Sequence, residues 1–137
     1  MASRLNPYLS FQGNAREAVE FYQQVFGGEL TLSTFGEYGM ADSDIADQVM
    51  HAQLETPSGY TLMVSDTPPG MDHTPGTNIT VSLSGDDVEE LRGYFAKLSE
   101  GGTVTLPLEK QMWGDEYGAL TDRFGVPWMA NIAVPQG

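Results

Sequence analysis

NPYLSFQGNAREAVEFYQQVFGGELTL, residues 6–32, is echoed by NITVSLSGDDVEELRGYFAKLSEGGTVTL, residues 78–106. At a separation of 72 positions, Asn6 falls on Asn78, Leu9 on Val81, Phe11 on Leu83, Gly13 on Gly85, Asn14 on Asp86, Val19 on Leu91 and Tyr22 on Tyr94. A two-residue insertion then brings Gly27-Gly28 onto Gly101-Gly102 and Thr31-Leu32 onto Thr105-Leu106. Further on, ETPSGYTLMVS (55–65) lies over TDRFGVPWMAN (121–131), with Gly59 on Gly125 and Met63 on Met129. A repeating unit of roughly 70 residues exceeds the 20–50 of solenoid repeats. It predicts two similar modules, with any pocket built from both.

Within each copy the elements follow from periodicity and punctuation. Residues 5–11 alternate as a strand does. Asn14 with Glu17 three positions on has the pattern of a capping box, and Ala15, Ala18, Val19, Tyr22 and Phe26 form an apolar stripe at helical spacing. Gly27-Gly28 stops that helix. Strands are expected at 29–35, 49–55 and 60–66, the last two joined around Thr56-Pro57-Ser58-Gly59, with an acidic, glycine-containing loop at 36–47. The second copy repeats the order: a strand at 77–84, a helix capped by Asp86 with Glu89 in the box position, a core stripe of Val88, Leu91, Phe95 and Leu98, a stop at Gly101-Gly102, and strands at about 103–110, 116–122 and 127–133. Each half therefore reads βαβββ. Residues 1–66 form the first half, the Pro- and Gly-rich 67–76 a linker, and 77–137 the second half of a single α+β domain.

Composition narrows the function. With 19 acidic against 6 basic residues the net charge is −13. Such a surface repels phosphate backbones and anionic membranes, so neither nucleic acid nor membrane is an expected partner. The absence of cysteine removes disulfides, thiol nucleophiles and thiolate metal sites. MASRLNPYLSF carries no apolar signal-like region, and no stretch approaches the ~18 apolar residues of a membrane span. A soluble cytoplasmic protein is the expectation.

Strand side chains alternate between faces. Leu9 and Phe11 can pack on the first helix while Asn6, Tyr8 and Ser10 face away. In the second copy Ile79, Val81 and Leu83 turn to the helix and Asn78, Thr80 and Ser82 away. Ala52 and Leu54 oppose His51, Gln53 and Glu55; Trp128, Ala130 and Ile132 oppose Pro127, Met129 and Asn131. The helix-free faces are polar yet carry few charges. That composition fits a concave small-molecule cleft; a sheet face covered by the partner half or by a second chain would account for it as well.

Two βαβββ copies, with FYQQVFGGEL closing the first helix and DRFGVPW late in the chain, resemble the vicinal oxygen chelate superfamily, which includes glyoxalase I, bleomycin-resistance proteins, fosfomycin-resistance enzymes and extradiol dioxygenases. PYLSFQGNAREAVEFYQQVFGGEL, VMHAQLE, LMVSD and DRFGVPWM are most similar to its PhnB-like subgroup. The resemblance implies a homodimer and a concave mixed sheet. It also implies a divalent metal held by His and Glu from the first strand of each half and from later strands. Those places fall near Asn6, His51, Asn78 and Met129, and only His51 is a good ligand for Zn, Mn or Fe, whose sites normally need about three His or carboxylate ligands. No cofactor is therefore expected. If a metal binds, His51 is its ligand.

The candidate site residues are Asn6, Tyr8, His51, Gln53, Met63, Asn78, Thr80, Trp113, Tyr117 and Met129. His51 has three available roles (general base, lone ligand, hydrogen-bonding group), against a structural one satisfied by Gln53 or by Tyr117, its counterpart in the repeat. Trp113 and Tyr117 can stack on a planar ligand, or serve as core or dimer-contact residues. Met50, Met63 and Met129 suit an adaptable pocket wall as well as ordinary core. His73 with Asp72 reads as a solvated linker, and Glu37, Asp42, Asp44 and Asp47 as solvated acids in a loop placed to act as a lid. Three readings remain open: a protein binding a small, partly apolar organic molecule between the halves; a metal-assisted lyase, isomerase or dioxygenase using His51; and a structural or interaction subunit.

Overall fold

The computed structural model describes residues 3–39, 44–68, 71–76 and 78–133, so Asp42 and the centre of the acidic loop lie outside the described residues. The chain divides into two compact units, Met1–Pro75 and Gly76–Gly137, a boundary that falls within 67–76.

The first unit holds β1 (Tyr8–Phe11), α1 (Ala15–Phe26), β2 (Glu29–Thr34), a short 3₁₀ turn at Gly36–Tyr38, β3 (Val49–Glu55) and β4 (Thr61–Asp66). Its sheet runs β1-β4-β3-β2, with β1 parallel to β4 and the other pairs antiparallel. The second unit holds β5 (Val81–Gly85), α2 (Val88–Ser99), β6 (Thr103–Lys110), β7 (Glu116–Thr121) and β8 (Pro127–Ile132), in the corresponding order β5-β8-β7-β6. This is the α+β pair of βαβββ modules that the repeat predicts.

Each helix covers one sheet face because its apolar stripe has nowhere else to go. α1 buries Ala15, Ala18, Val19, Phe21, Tyr22, Val25 and Phe26, and α2 buries Leu91, Tyr94, Phe95 and Leu98. They meet Ala52, Leu54, Leu62 and Val64 in one unit and Leu120, Trp128, Ala130 and Ile132 in the other, all at most 4% exposed. Burying one such Leu or Ile side chain is worth about 1.5–3 kcal/mol, so this alternation fixes the strand register, since a one-residue slip would turn every one of these side chains outward.

The hairpins keep the 66-position offset read in the sequence, but the 72-position offset of the first strand and helix does not hold. The β3–β4 turn closes with Thr56 N donating to Tyr60 O, and the β7–β8 turn with Asp122 N donating to Val126 O, a separation of 66 positions. Leu9 pairs with Val64 and Leu83 with Ala130. Hence Leu9 corresponds to Leu83, 74 positions on, and not to Val81. Along the helices the buried sets Ala18, Phe21, Tyr22, Val25 and Leu91, Tyr94, Phe95, Leu98 superpose at 73 positions. The offset of 72 lines up similar letters; hydrogen-bond register and burial decide otherwise.

Gly28 and Gly102 sit at one equivalent place, where the chain leaving the helix crosses the neighbouring strand. A Cβ on Gly28 would lie 2.1 Å from Glu55 O, and one on Gly102 2.3 Å from Thr121 O. Only glycine permits that approach.

Three local expectations need correction. The capping box does not form: Asn14 makes no side-chain cap bond. Instead the buried Asp66 carboxylate, at the end of β4, accepts from Gly13 N (2.8 Å) and Ala15 N (2.9 Å) through Oδ1, and from Val49 N (2.9 Å) through Oδ2. The cap of α2 is Asp87, which accepts from Glu90 N, and not Asp86. Finally, the strand expected at 77–84 begins only at Val81; Ile79 is 77% exposed and takes no part in the core.

Candidate functional site

The helix-free face of the first sheet gathers much of the candidate set. Tyr8 pairs with Met63, Met63 with Gln53 and Gln53 with Thr31, a row running across all four strands. His51 stands one position pair along β3, opposite Ser33. Its Nδ1 is 3.1 Å from the Tyr8 hydroxyl, and the two rings lie 5.7 Å apart at 37°. Tyr8 is 47% exposed and His51 half-buried, so the pair is open to a ligand. Gln53 donates to Glu55 Oε1 (3.1 Å), which occupies its amide N–H on the strand itself. Among the described residues the hydrogen-bond partner of His51 is Tyr8.

The corresponding face of the second sheet is built differently. Ser82 pairs with Met129 and Met129 with Ala119, while Ser84 pairs with Asn131 and Asn131 with Tyr117. The Tyr117 hydroxyl lies 3.9 Å from the Met129 sulfur, and Trp113 packs edge-on to Tyr117 at 6.2 Å, with 58% of its surface exposed. Asn131 Nδ2 donates to Asp115 Oδ2 (3.0 Å), fixing the turn that presents Trp113. Beneath, the buried Asp122 carboxylate accepts from Phe124 N, Val126 N and Trp128 Nε1 (2.8, 3.1 and 2.9 Å), which locks the β7–β8 turn to the core tryptophan.

Asn6, Asn78 and Thr80 lie outside the strands. Asn78 and Thr80 are exposed in the chain before β5. Asn6 is half-buried and lines an open cavity of about 540 Å³ with Arg4, Leu5, Glu55, Thr56, Gly59, Tyr60 and Thr61. This cavity lies at the β3–β4 turn, apart from His51, and of the candidates only Asn6 reaches it. The path of residues 4–6, which alternation cannot reveal, creates it.

One ion pair has a shifted titration. Arg92 of α2 holds Glu116 at the start of β7 with two hydrogen bonds, Nε to Oε1 at 2.9 Å and Nη2 to Oε2. The hydrogen bonding from Arg92 lowers the Glu116 carboxyl below its ordinary range, against a smaller opposing effect of burial, and the same contact raises Arg92.

The divalent metal that the resemblance implies does not fit these donors. Among the described residues no group of three or more His, Asp or Glu side chains could hold a metal ion. Asn6 and Asn78 are neutral oxygen donors, Met129 is a thioether, and Nδ1 of His51 is engaged by Tyr8. Among the described residues, too, no helix is long and apolar enough to cross a membrane.

Two helix-backed βαβββ sheets of identical strand order define a glyoxalase-like fold, and comparison with known proteins agrees. Residues 4–130 match the model of the glyoxalase/bleomycin resistance protein/dioxygenase superfamily, and the chain belongs to that superfamily. It is 32% identical over 144 residues to protein YjdN of Escherichia coli, covering 96% of this chain and 97% of that one. The crystal structure of protein PA1353 from Pseudomonas aeruginosa is similar at 38% identity and a TM-score of 0.87, covering 98% of this chain and 100% of that one. A PhnB protein from Bacillus cereus is similar at 26% identity and a TM-score of 0.76, covering 96% and 100%.

Proposed function

We propose that this protein binds a small, partly apolar organic molecule against the helix-free faces of its sheets, without a tightly held catalytic metal. The observation that carries the reading is the half-exposed Tyr8–His51 hydrogen-bonded pair beside Met63. An apolar wall with a few placed polar groups is the usual make-up of a small-molecule site. Trp113, Tyr117 and Met129 supply aromatic and thioether surface of the same kind in the second unit. Superfamily membership supports a binding role and leaves the reaction open, because one fold hosts many chemistries. The proposal includes a cytoplasmic homodimer: the outer strands β1, β2, β5 and β6 need pairing or cover, and an acidic surface keeps the protein away from nucleic acid and anionic membranes. Among the described residues no donor cluster favours the metal-assisted reading.

The test is a thermal-shift screen over several chemical classes, run on the wild type and on Trp113→Ala and Met63→Ala. A binder present at 100 times its Kd stabilises the folded state by about 2.7 kcal/mol. The expected result is a wild-type shift that shrinks in at least one of the two variants. No stabilising compound in any class, or one that acts equally on all three proteins, contradicts the reading.

A further inference from the structure

We infer that Tyr8 sets the tautomer of His51, making the histidine a hydrogen-bond donor through Nε2, so that the ligand presents an acceptor oxygen, as a monocarboxylate or a ketone, on an apolar body. The inference deepens the binding reading above and rests on it for the ligand, though not for the tautomer.

The Tyr8 hydroxyl lies 3.1 Å from Nδ1 of His51. A neutral imidazole carries one N–H, and which nitrogen bears it is set by the hydrogen bond that the other makes. A phenol O–H is a good donor, and a neutral ring nitrogen is a good acceptor. With the hydroxyl donating to Nδ1, the proton resides on Nε2. If the ring becomes cationic, Nδ1–H donates to the phenol oxygen and Nε2 still carries its proton. Both states therefore offer an N–H from the ring's far side. Among the described residues no hydrogen bond occupies Nε2, whereas the nearby Gln53 amide is engaged by Glu55. In this scheme His51 meets the ligand as a donor and not as a general base, because the free nitrogen holds a proton in place of a lone pair.

The surroundings specify the rest of the ligand. Met63 stands between Tyr8 and Gln53 in the cross-strand row and gives an apolar, polarizable seat for a ring or alkyl group. The net charge of −13 disfavours multiply charged anions, which leaves a single carboxylate or a neutral carbonyl as the acceptor. Tyr8 acts in this scheme as a positioning residue for His51.

The experiment is long-range ¹H–¹⁵N NMR of the imidazoles in the ligand-free wild type, Tyr8→Phe and His51→Ala, the last serving to separate His51 from His73. At a pH where His51 is neutral, a single tautomer with the proton on Nε2 is expected in the wild type, with a measurable Nδ1–H population appearing in Tyr8→Phe. A wild-type ring protonated on Nδ1, or spectra unchanged by Tyr8→Phe, overturns the inference whatever binds. The same samples are then titrated with benzoate, acetophenone and benzylamine. Benzoate or acetophenone should shift the His51 resonances, with affinity falling about two- to fivefold in Tyr8→Phe. Preference for benzylamine, which offers donors only, overturns the ligand class. If the tautomer is as expected and none of the three probes perturbs His51, the ligand class is overturned while the tautomer assignment stands, and the binding reading is decided separately by the thermal-shift screen.

Discussion

Replacing Asp66 with alanine should be the most damaging polar substitution in the first unit, and replacing Asn14 one of the mildest. The two sites compete in sequence logic for the same job. Asn14 occupies the N-cap position of α1 with Glu17 placed for a capping box, yet its side chain makes no cap bond. Asp66, from the far end of the unit's sequence, takes three backbone N–H groups, those of Gly13, Ala15 and Val49, at 2.8–2.9 Å. It is 3% exposed. Leaving a buried donor unsatisfied costs about 1–3 kcal/mol, and bonds to a charged acceptor lie at the upper end. Water entering the space left by the carboxylate recovers part of this, so Asp66→Ala should cost about 3–5 kcal/mol. Against a typical total of 5–15 kcal/mol that is a large fraction. Asp66→Asn keeps one acceptor oxygen but points an N–H at a backbone donor, and should cost about 1–3 kcal/mol. Asn14→Ala should cost about 0.5 kcal/mol or less, below the ~1 kcal/mol of a working cap. Urea unfolding followed by circular dichroism gives the ranking, and amide exchange at Gly13, Ala15 and Val49 gives the location. Equal losses for Asp66→Ala and Asn14→Ala, or a greater loss for Asn14→Ala, would refute the assignment of the cap to Asp66.

Gly28→Ala should cost about 3 kcal/mol or more, combining overpacking against Glu55 O with a left-handed φ of +108°; Gly102→Ala should be comparable from its contact with Thr121 O alone, and thermal unfolding of both variants checks it. The Arg92–Glu116 pair lowers the folded-state pKa of Glu116, so its contribution is fully present above the unfolded carboxylate pKa and disappears as pH falls through the lowered folded value. The stability gap between wild type and Arg92→Ala should therefore close in acid and narrow with added salt; a gap independent of both would contradict that origin.

Much of the fold was legible because burial is periodic. The alternation in 49–55 and 127–133 assigns Ala52, Leu54, Trp128, Ala130 and Ile132 to the core, and all five are at most 1% exposed. The glycine pairs were legible for a similar reason: one steric demand recurs at Gly28 and Gly102. What escaped depends on partners distant in sequence. Asp66 displaces Asn14 as the cap because the β4 terminus arrives at the start of α1, and nothing in the local pattern announces that. Asp86 and Asp87 are chemically alike, and only backbone geometry selects the second. Alternation placed Tyr8 and His51 on one face, but their hydrogen bond requires β4 to lie between β1 and β3, a matter of strand order. Ile79 illustrates the converse: an apolar residue in apparent strand phase stays exposed because the ladder to β8 begins only at Val81.

The central claim concerns an organic ligand met by side chains without a tightly held metal. It is tested most directly by metal analysis of wild type and His51→Ala, purified without chelator or affinity-tag metal, together with unfolding in added Zn²⁺, Mn²⁺, Fe²⁺ and Ni²⁺. The account predicts substoichiometric metal in both proteins and no stabilisation by any of the ions. Near-stoichiometric metal in the wild type that is lost in His51→Ala would contradict it and make the metal-assisted enzyme the leading reading.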